Sequence, residues 1–278
     1  MPSSAAFLDV RATHNPNRWT LEVTPGLCVG PPGKLFLFGG VGLAACITAM
    51  EGTTGRPVIW AAAQYLSFAR PGAIVDIDVE VPVSGRFNSQ TRTKAHVGDA
   101  EVITASAALG ARPDTLSAQW PAMPDVPPPQ DCPPMQRQKR HPEELHDHID
   151  LRVAKGRYGE ARRTGTLSED GEVYLWARPR DGGVINSGML AIIADFIPSA
   201  VGNAIGQNAG GNSLDNTLRI CHVVPTDWVL CDTRIDAVHG GFAHGRMRQF
   251  SQDGTLMAVA SQSMIVRVHS DSEPKRDG

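Results

Sequence analysis

Three polar side chains stand where apolar ones are expected, and their types suit one kind of chemistry. Strand alternation puts Leu256, Ala258, Ala260, Gln262, Met264 and Val266 on one face, and all but Gln262 are apolar. An amide on such a face costs about 1–3 kcal/mol if left unpaired, so it needs a polar partner, a water or a ligand. A neighbouring backbone group, or a bulge that turns the side chain outward, would serve equally well. Asp195 interrupts the run 189–197, which is otherwise apolar nearly all round and is therefore expected to be buried nearly all round. Its charge is then desolvated unless it is paired, or unless Asp195 occupies one solvated stripe. Pro198 removes the amide that would bond the carbonyl of Ala194, which predicts a local kink with room for a water. Ser213 sits in Asn212-Ser213-Leu214-Asp215-Asn216 and shares a strand parity with Asp215. Capping or turn formation is the commoner use of Asn212 and Ser213 there.

Together Asp195, Ser213 and Gln262 could hold a water. The carboxylate accepts its proton or orients it, the amide positions it, and the hydroxyl completes the shell. The set contains no strong nucleophile, and there is no Gly-x-Ser-x-Gly elbow, so it suits hydrolysis by a directed water and not a serine triad.

The elements that must position these residues fall into two similar halves. In the first, a strand at about 19–23 precedes a Gly-rich turn and a small-residue helix at about 40–50. Strand-like runs follow at 58–68, 73–82, 87–96 and 101–109, broken by Arg70-Pro71-Gly72, Ser84-Gly85 and Gly98-Asp99. In the second, strands near 151–158 and 173–177 precede a helix at about 185–204. Four more runs follow at 212–222, 228–237, 242–251 and 256–268. Gly85-x-Phe87 matches Gly240-x-Phe242, and Ala105-Ser106 matches Ala260-Ser261, at one constant offset that places Ala107 where the second half has Gln262. A helix followed by an antiparallel meander packs by wrapping the apolar face of the sheet around the helix. The expected fold is therefore α+β, a double hot dog. Residues 1–111 form one repeat, 112–148 a Pro-rich linker, 149–270 the repeat with the site, and 271–278 a frayed tail.

Composition narrows the function. The 278 residues carry 26 Lys and Arg against 29 Asp and Glu, a net charge of −3, which argues against nucleic acid as a partner. Five cysteines without Cys-x-x-Cys spacing support neither a disulfide framework nor a structural zinc site. The start lacks the pattern of a signal peptide. The apolar stretch 184–201 contains Asn186, Asp195 and Pro198, a poor membrane span. A cytoplasmic protein with no membrane partner is expected.

The chain resembles the acyl-CoA thioesterase II (TesB-like) family of double hot-dog enzymes over about 32–109 and 151–268. The resemblance is carried by Phe38-Gly39-Gly40, Phe68-x-Arg70-Pro71-Gly72 and the run from Leu190 to Asp195. It continues in Pro225-Thr226-Asp227-Trp228-Val229-Leu230 and in Gln252-Asp253-Gly254-Thr255-Leu256-Met257-Ala258 through Gln262 to Arg267. By resemblance, the Asp, Thr and Gln that hold the attacking water in the family fall on Asp195, Ser213 and Gln262. Thr is replaced by Ser213, the usual Asp-His is Asp215-Asn216, and the usual Gln-Glu-Gly is Gln262-Ser263-Met264. The resemblance implies an acyl-CoA substrate, no cofactor or metal, a place in fatty-acid metabolism and a homo-oligomer, for which an exposed edge strand on each half would serve. Backbone N–H groups at Ser187-Gly188 or Gly39-Gly40 are candidates to stabilise an oxyanion. Gly39-Gly40-Val41-Gly42 is otherwise read as permitting close helix–sheet packing.

His141, His146 and His148, with Glu143, Glu144 and Asp147, read as a solvated segment before a metal site. Arg137, Lys139 and Arg140 read as solvated before they read as ligands of CoA phosphates. An enoyl-CoA hydratase lacks its Gly-Asp-x-Asn-Pro-x-His run here. A non-catalytic acyl-CoA-binding protein stays open as the alternative from another class.

Overall fold

A computed structural model describes residues 7–112, 115–136 and 139–269. The expected tail at 271–278 lies outside the described residues, as does Arg137.

The first half contains β1 Val10–Ala12, β2 Arg18–Glu22, β3 Cys28–Val29, β4 Phe36–Leu37, α1 Gly39–Thr54, β5 Val58–Tyr65, β6 Ile74–Ser84, β7 Asn88–Val97 and β8 Ala100–Gly110. The second contains β9 Ile149–Lys155, β10 Glu172–Pro179, α2 Ser187–Ala194, α3 Val201–Ile205, β11 Ala209–Ser213, β12 Asp215–Ile220, β13 Val229–His239, β14 Phe242–Ser251 and β15 Leu256–Val268. Apart from the small pair β3–β4, the strands make one antiparallel sheet in the order β1-β2-β6-β7-β8-β5-β12-β15-β14-β13-β10-β9, with β11 also on β15. The order β2-β6-β7-β8-β5 is repeated as β10-β13-β14-β15-β12. The two halves join where β5 pairs with β12, with Asn216 opposite Ala63. This is the double hot dog.

The concave face of the sheet wraps α1 and α2. Residues Gly40 to Ile47 of α1 and Gly188 to Ala194 of α2 are all buried, so neither stretch has a solvated face, and only the last turn of α1 reaches the surface. Their apolar surface, with the inward residues of both half-sheets, makes one continuous core. The helices run antiparallel. The start of α1 meets the end of α2 at Gly40 and Asp195, and Glu51 of α1 meets Ser187 of α2. The glycines allow close packing against the sheet, Gly39 at Tyr65 of β5 and Gly42 at Ile103 of β8, and Gly40 adds a close approach between the two helices. A Cβ on Gly40 would stand 2.8 Å from Asp195 Cβ and 2.9 Å from the carbonyl oxygen of Ile192.

The second helix breaks where Pro198 predicts a kink: it stops at Ala194, turns as a 3₁₀ segment at Ile197–Ala200, and resumes as α3 to Ile205. Pro198 cannot donate to the carbonyl of Ala194, so the α-helical ladder ends there and Asp195 becomes its C-terminal cap. The whole stretch Ser187–Ile205 is long and apolar enough to cross a membrane, but 78% of its apolar window is buried inside the protein.

The linker is more structured than a spacer. Among the described residues, 112–148 hold no α-helix or named strand, but they strap across the outer face of the second half. Gln119 accepts the N–H of Leu256 at 2.6 Å, and Trp176 Nε1 donates to the carbonyl of Pro127 at 3.0 Å. Cys132, Trp176, Trp228, Leu230, Phe250 and Leu256 form a second apolar cluster under this strap. Leu256 is therefore on the outer face. The register shifts between Gln249 and Phe250, so the inward alternation of β15 begins after it, at Ala258. Residues 133–135 also bond β9, through Val153 N–H to Pro133 and Met135 N–H to Leu151. One edge of the sheet is thereby covered, and the other, β1, is three residues long.

Candidate active site

Asp195 is 4% exposed and Gln262 is 2% exposed, so both polar outliers are buried. The solvated-stripe alternative for Asp195 is excluded. Three donors converge on the carboxylate. The N–H of Gly40 donates to Oδ2 at 2.7 Å, the Ser213 hydroxyl donates to Oδ1 at 2.9 Å, and Gln262 Nε2 donates to Oδ1. The structure brings the three residues singled out from the sequence onto one another, and adds Gly40 from the other half.

The electrostatics follow from where the helices end. Asp195 caps the C-terminus of α2, where the backbone dipole disfavours an anion. The N-terminus of α1 points at it, and Phe38 makes no side-chain cap, so that end has free donors to offer. Burial pushes the Asp195 carboxyl up to about 6, while the bonds from Gln262, Ser213 and Gly40 pull the other way. The carboxylate is thus ionised at neutral pH yet basic enough to take a proton.

The placement of Ser213 depends on a bulge that the parity argument did not contain. Ser213 pairs with Met264, whereas Thr217 pairs with Ser261, so the register changes at Leu214 between β11 and β12. Ser213 and Asp215 therefore do not act together. Ser213 reaches Asp195, Asp215 accepts the backbone N–H of Ser263 at 2.7 Å, and Asn216 turns inward with 0% exposure.

Two residues at the site carry no chemical signal in the sequence: Asn216 reads only as a departure from the family pattern, and Tyr65 only as part of a strand. Tyr65 closes β5 with its ring against α1: a Cβ on Gly39 would lie 2.8 Å from Asp195 Oδ2 and 2.9 Å from Tyr65 Cζ. Burial, then the Asp195 charge, hold the phenol well above its usual range, so it is protonated. The Tyr65 hydroxyl, both amide atoms of Asn216 and the Gln262 Oε1 are buried without a hydrogen-bond partner among the described residues. The only sequence signal was the pair of glycines, whose missing side chains allow this approach.

Comparison with known proteins gives the family. A structure from Novosphingobium aromaticivorans DSM 12444, described as an inferred thioesterase, is 35% identical, with 94% of this chain and 99% of that one aligned at a TM-score of 0.83. The chain belongs to the same thioesterase family. Residues 129–266 match the acyl-CoA thioesterase C-terminal domain, the half that holds Asp195, Ser213 and Gln262. An acyl-CoA thioesterase II of Mycobacterium marinum shares the fold at 20% identity, 96% and 98% coverage and a TM-score of 0.70. A hot-dog protein of unknown function from Alicyclobacillus acidocaldarius shares it at 18% identity, 94% and 97% coverage and a TM-score of 0.80. No curated protein matches the chain.

No group of three or more His, Cys, Asp or Glu side chains converges among the described residues. Lys139 is paired with Asp147 at 3.0 Å.

Proposed function

We propose that this family member hydrolyses acyl-CoA to the free acid and CoA, using a water directed by Asp195, Ser213 and Gln262. The observation that carries the reading is the buried Asp195 carboxylate, ringed by three donors, beside the unpaired Oε1 of Gln262. Three bonds leave the carboxylate room for one more, and Gln262 Oε1 is free to accept from the same water. In the reaction the water oxygen bonds to the thioester carbonyl carbon while its proton passes to Asp195. The tetrahedral intermediate collapses with rupture of the carbon–sulfur bond. The sulfur takes the electron pair and then the proton from Asp195, releasing CoA thiol. Ser213 and Gln262 hold the carboxylate in place through this cycle.

The reading includes a cytoplasmic reaction on acyl-CoA of fatty-acid metabolism, and self-association, which light scattering at micromolar concentration tests. The catalytic test is thiol release from acyl-CoAs of short to long chain, with Asp195→Ala and Gln262→Ala beside the wild type. Turnover lost in both folded variants is the expected result. Turnover intact in both would remove these residues from the mechanism, and acyl-CoA raising Tm without turnover would leave a binding protein.

A further inference from the structure

The side-chain and Gly40 donors on Asp195 are all engaged by its carboxylate: Gly40 N–H, Ser213 hydroxyl and Gln262 Nε2. They position the base and are not available to the oxyanion that a hydrolysed thioester develops. The N–H of Gly40, a candidate for that task from sequence, is thereby withdrawn from it. Yet a charge of that kind needs donors already aimed at it.

Two side-chain donors at this site are left over. The Tyr65 hydroxyl and the Asn216 amide are buried and without a hydrogen-bond partner among the described residues. Asn216 is 0% exposed and shares the inward face of β12 with Leu218. The pairing of Thr217 with Ser261 sets Asn216 level with Gln262 on the neighbouring strand, and on its other side Asn216 pairs with Ala63, two residues before Tyr65. Tyr65, Asn216 and Gln262 thus make a polar strip across three adjacent strands, β5, β12 and β15, on the concave face. Leaving such groups unpaired is costly, and a bound polar atom removes the cost. Asn216 lies close enough to the Tyr65 hydroxyl to pull its pKa down as a hydrogen-bond partner would, but the contact falls short of full hydrogen-bond geometry and leaves both groups able to donate to a third atom.

We propose that Tyr65 and Asn216 are catalytic residues that donate to the thioester carbonyl oxygen and hold its negative charge in the tetrahedral intermediate. The first half of the chain then supplies an oxyanion donor while the second supplies the base. This inference rests on the hydrolytic reading above and extends it to the other end of the reacting carbonyl.

The test uses the full chain with Tyr65→Phe and Asn216→Ala, each checked by Tm. The expected result is a fall in kcat of roughly 10²-fold in each, the size seen when one oxyanion donor is removed. KM should change little, because the bond strengthens only as charge develops. Tm should not fall, since each change deletes buried groups that have no partner. A second readout does not need turnover. A hexanoyl-CoA analogue carrying a methylene in place of the thioester sulfur and carbon-13 at the carbonyl is bound to each protein. Its carbonyl resonance should move downfield on the wild type, and clearly less on either variant. Unchanged kcat together with an unchanged carbonyl shift in both variants overturns the inference. So does a fall in Tm with kcat intact, which marks a structural pair. If Asp195→Ala stops turnover and these variants do not, the hydrolytic reading stands and this inference falls. If the wild type hydrolyses no acyl-CoA, the hydrolytic reading falls and the carbonyl shift alone decides the role of Tyr65 and Asn216; an analogue that shows no shift on the wild type overturns that role too.

Discussion

The two half-sheets share one strand order, but only one of them surrounds a helix end with polar groups. Gln262, facing inward on β15, has Ala107 at the matching place on β8. Ser213, paired with Met264, has Val58, paired with Leu109. Gly40, which touches Asp195, has Gly188, whose Cβ would lie 4.0 Å from Thr48 Oγ1. The first half does keep a carboxylate near its own helix junction. Glu51 accepts the Val58 N–H at 2.9 Å and the Ser187 hydroxyl at 3.1 Å, and burial pushes its pKa up. There the neighbours at the matching positions are apolar. The same backbone thus permits either a site or a plug of core. The choice is made by a few side chains, because the sheet and helices are held by apolar packing that does not depend on them.

The comparison predicts unequal responses to matched changes. Asp195→Ala should lower kcat by about 10³-fold, within the range for a positioned acid–base group, whereas Glu51→Gln in the other half should leave kcat near wild type. A large loss from Glu51→Gln would make the two carboxylates functional partners. Gly40→Ala should destabilise by about 2–4 kcal/mol, because its Cβ meets backbone oxygens of Ile192 and Ala191 at 2.9 and 3.0 Å. Gly188→Ala should be tolerated in the same melting experiment, since its nearest neighbour is 3.4 Å away.

Transplanting the amide sharpens the contrast further. Gln262→Ala should lower kcat by about 10²-fold, while Ala107→Gln should give no new activity and lose about 1–3 kcal/mol of stability, having no carboxylate to meet. The pH dependence carries the sign of the Asp195 shift. Its carboxyl is raised to about 6, so the group must lose its proton before it can act, and kcat/KM should rise with pH through about 6. The same shift makes ionised Asp195 a stability cost in the folded state. Stability contributed by its protonated form is present below the unfolded value of 3.8 and lost as pH rises through about 6, and Asp195→Ala should remove that dependence. Ser213→Ala should have the smallest effect, about tenfold in kcat, because two donors remain on Asp195 and Ser213→Thr restores the hydroxyl.

Much of this was legible in the chain. Alternation placed Gln262 on the inward face, and the apolar run around Asp195 placed that carboxylate in the core, because strand and helix periods are local properties. Gly-rich breaks marked the hairpins correctly, as at Gly240-Gly241, where both residues take positive φ of 58° and 83°. Parity failed at Leu214 and at Leu256, where register shifts send neighbouring residues to unexpected faces. A bulge belongs to the pairing of two strands and leaves little trace in either one. For that reason Asn216 went unread as an inward residue.

The sequence by itself determined the repeated order of elements, the inward Gln262 and the buried Asp195, since each follows from patterns a few residues long. Only the tertiary structure decided what surrounds that carboxylate. Gly40 lies 155 residues away and Gln262 lies 67 residues away, and they reach Asp195 because α1 and α2 pack side by side and antiparallel inside one shared sheet. Tyr65 and Asn216 meet there for the same reason, at the seam where β5 of one half pairs with β12 of the other.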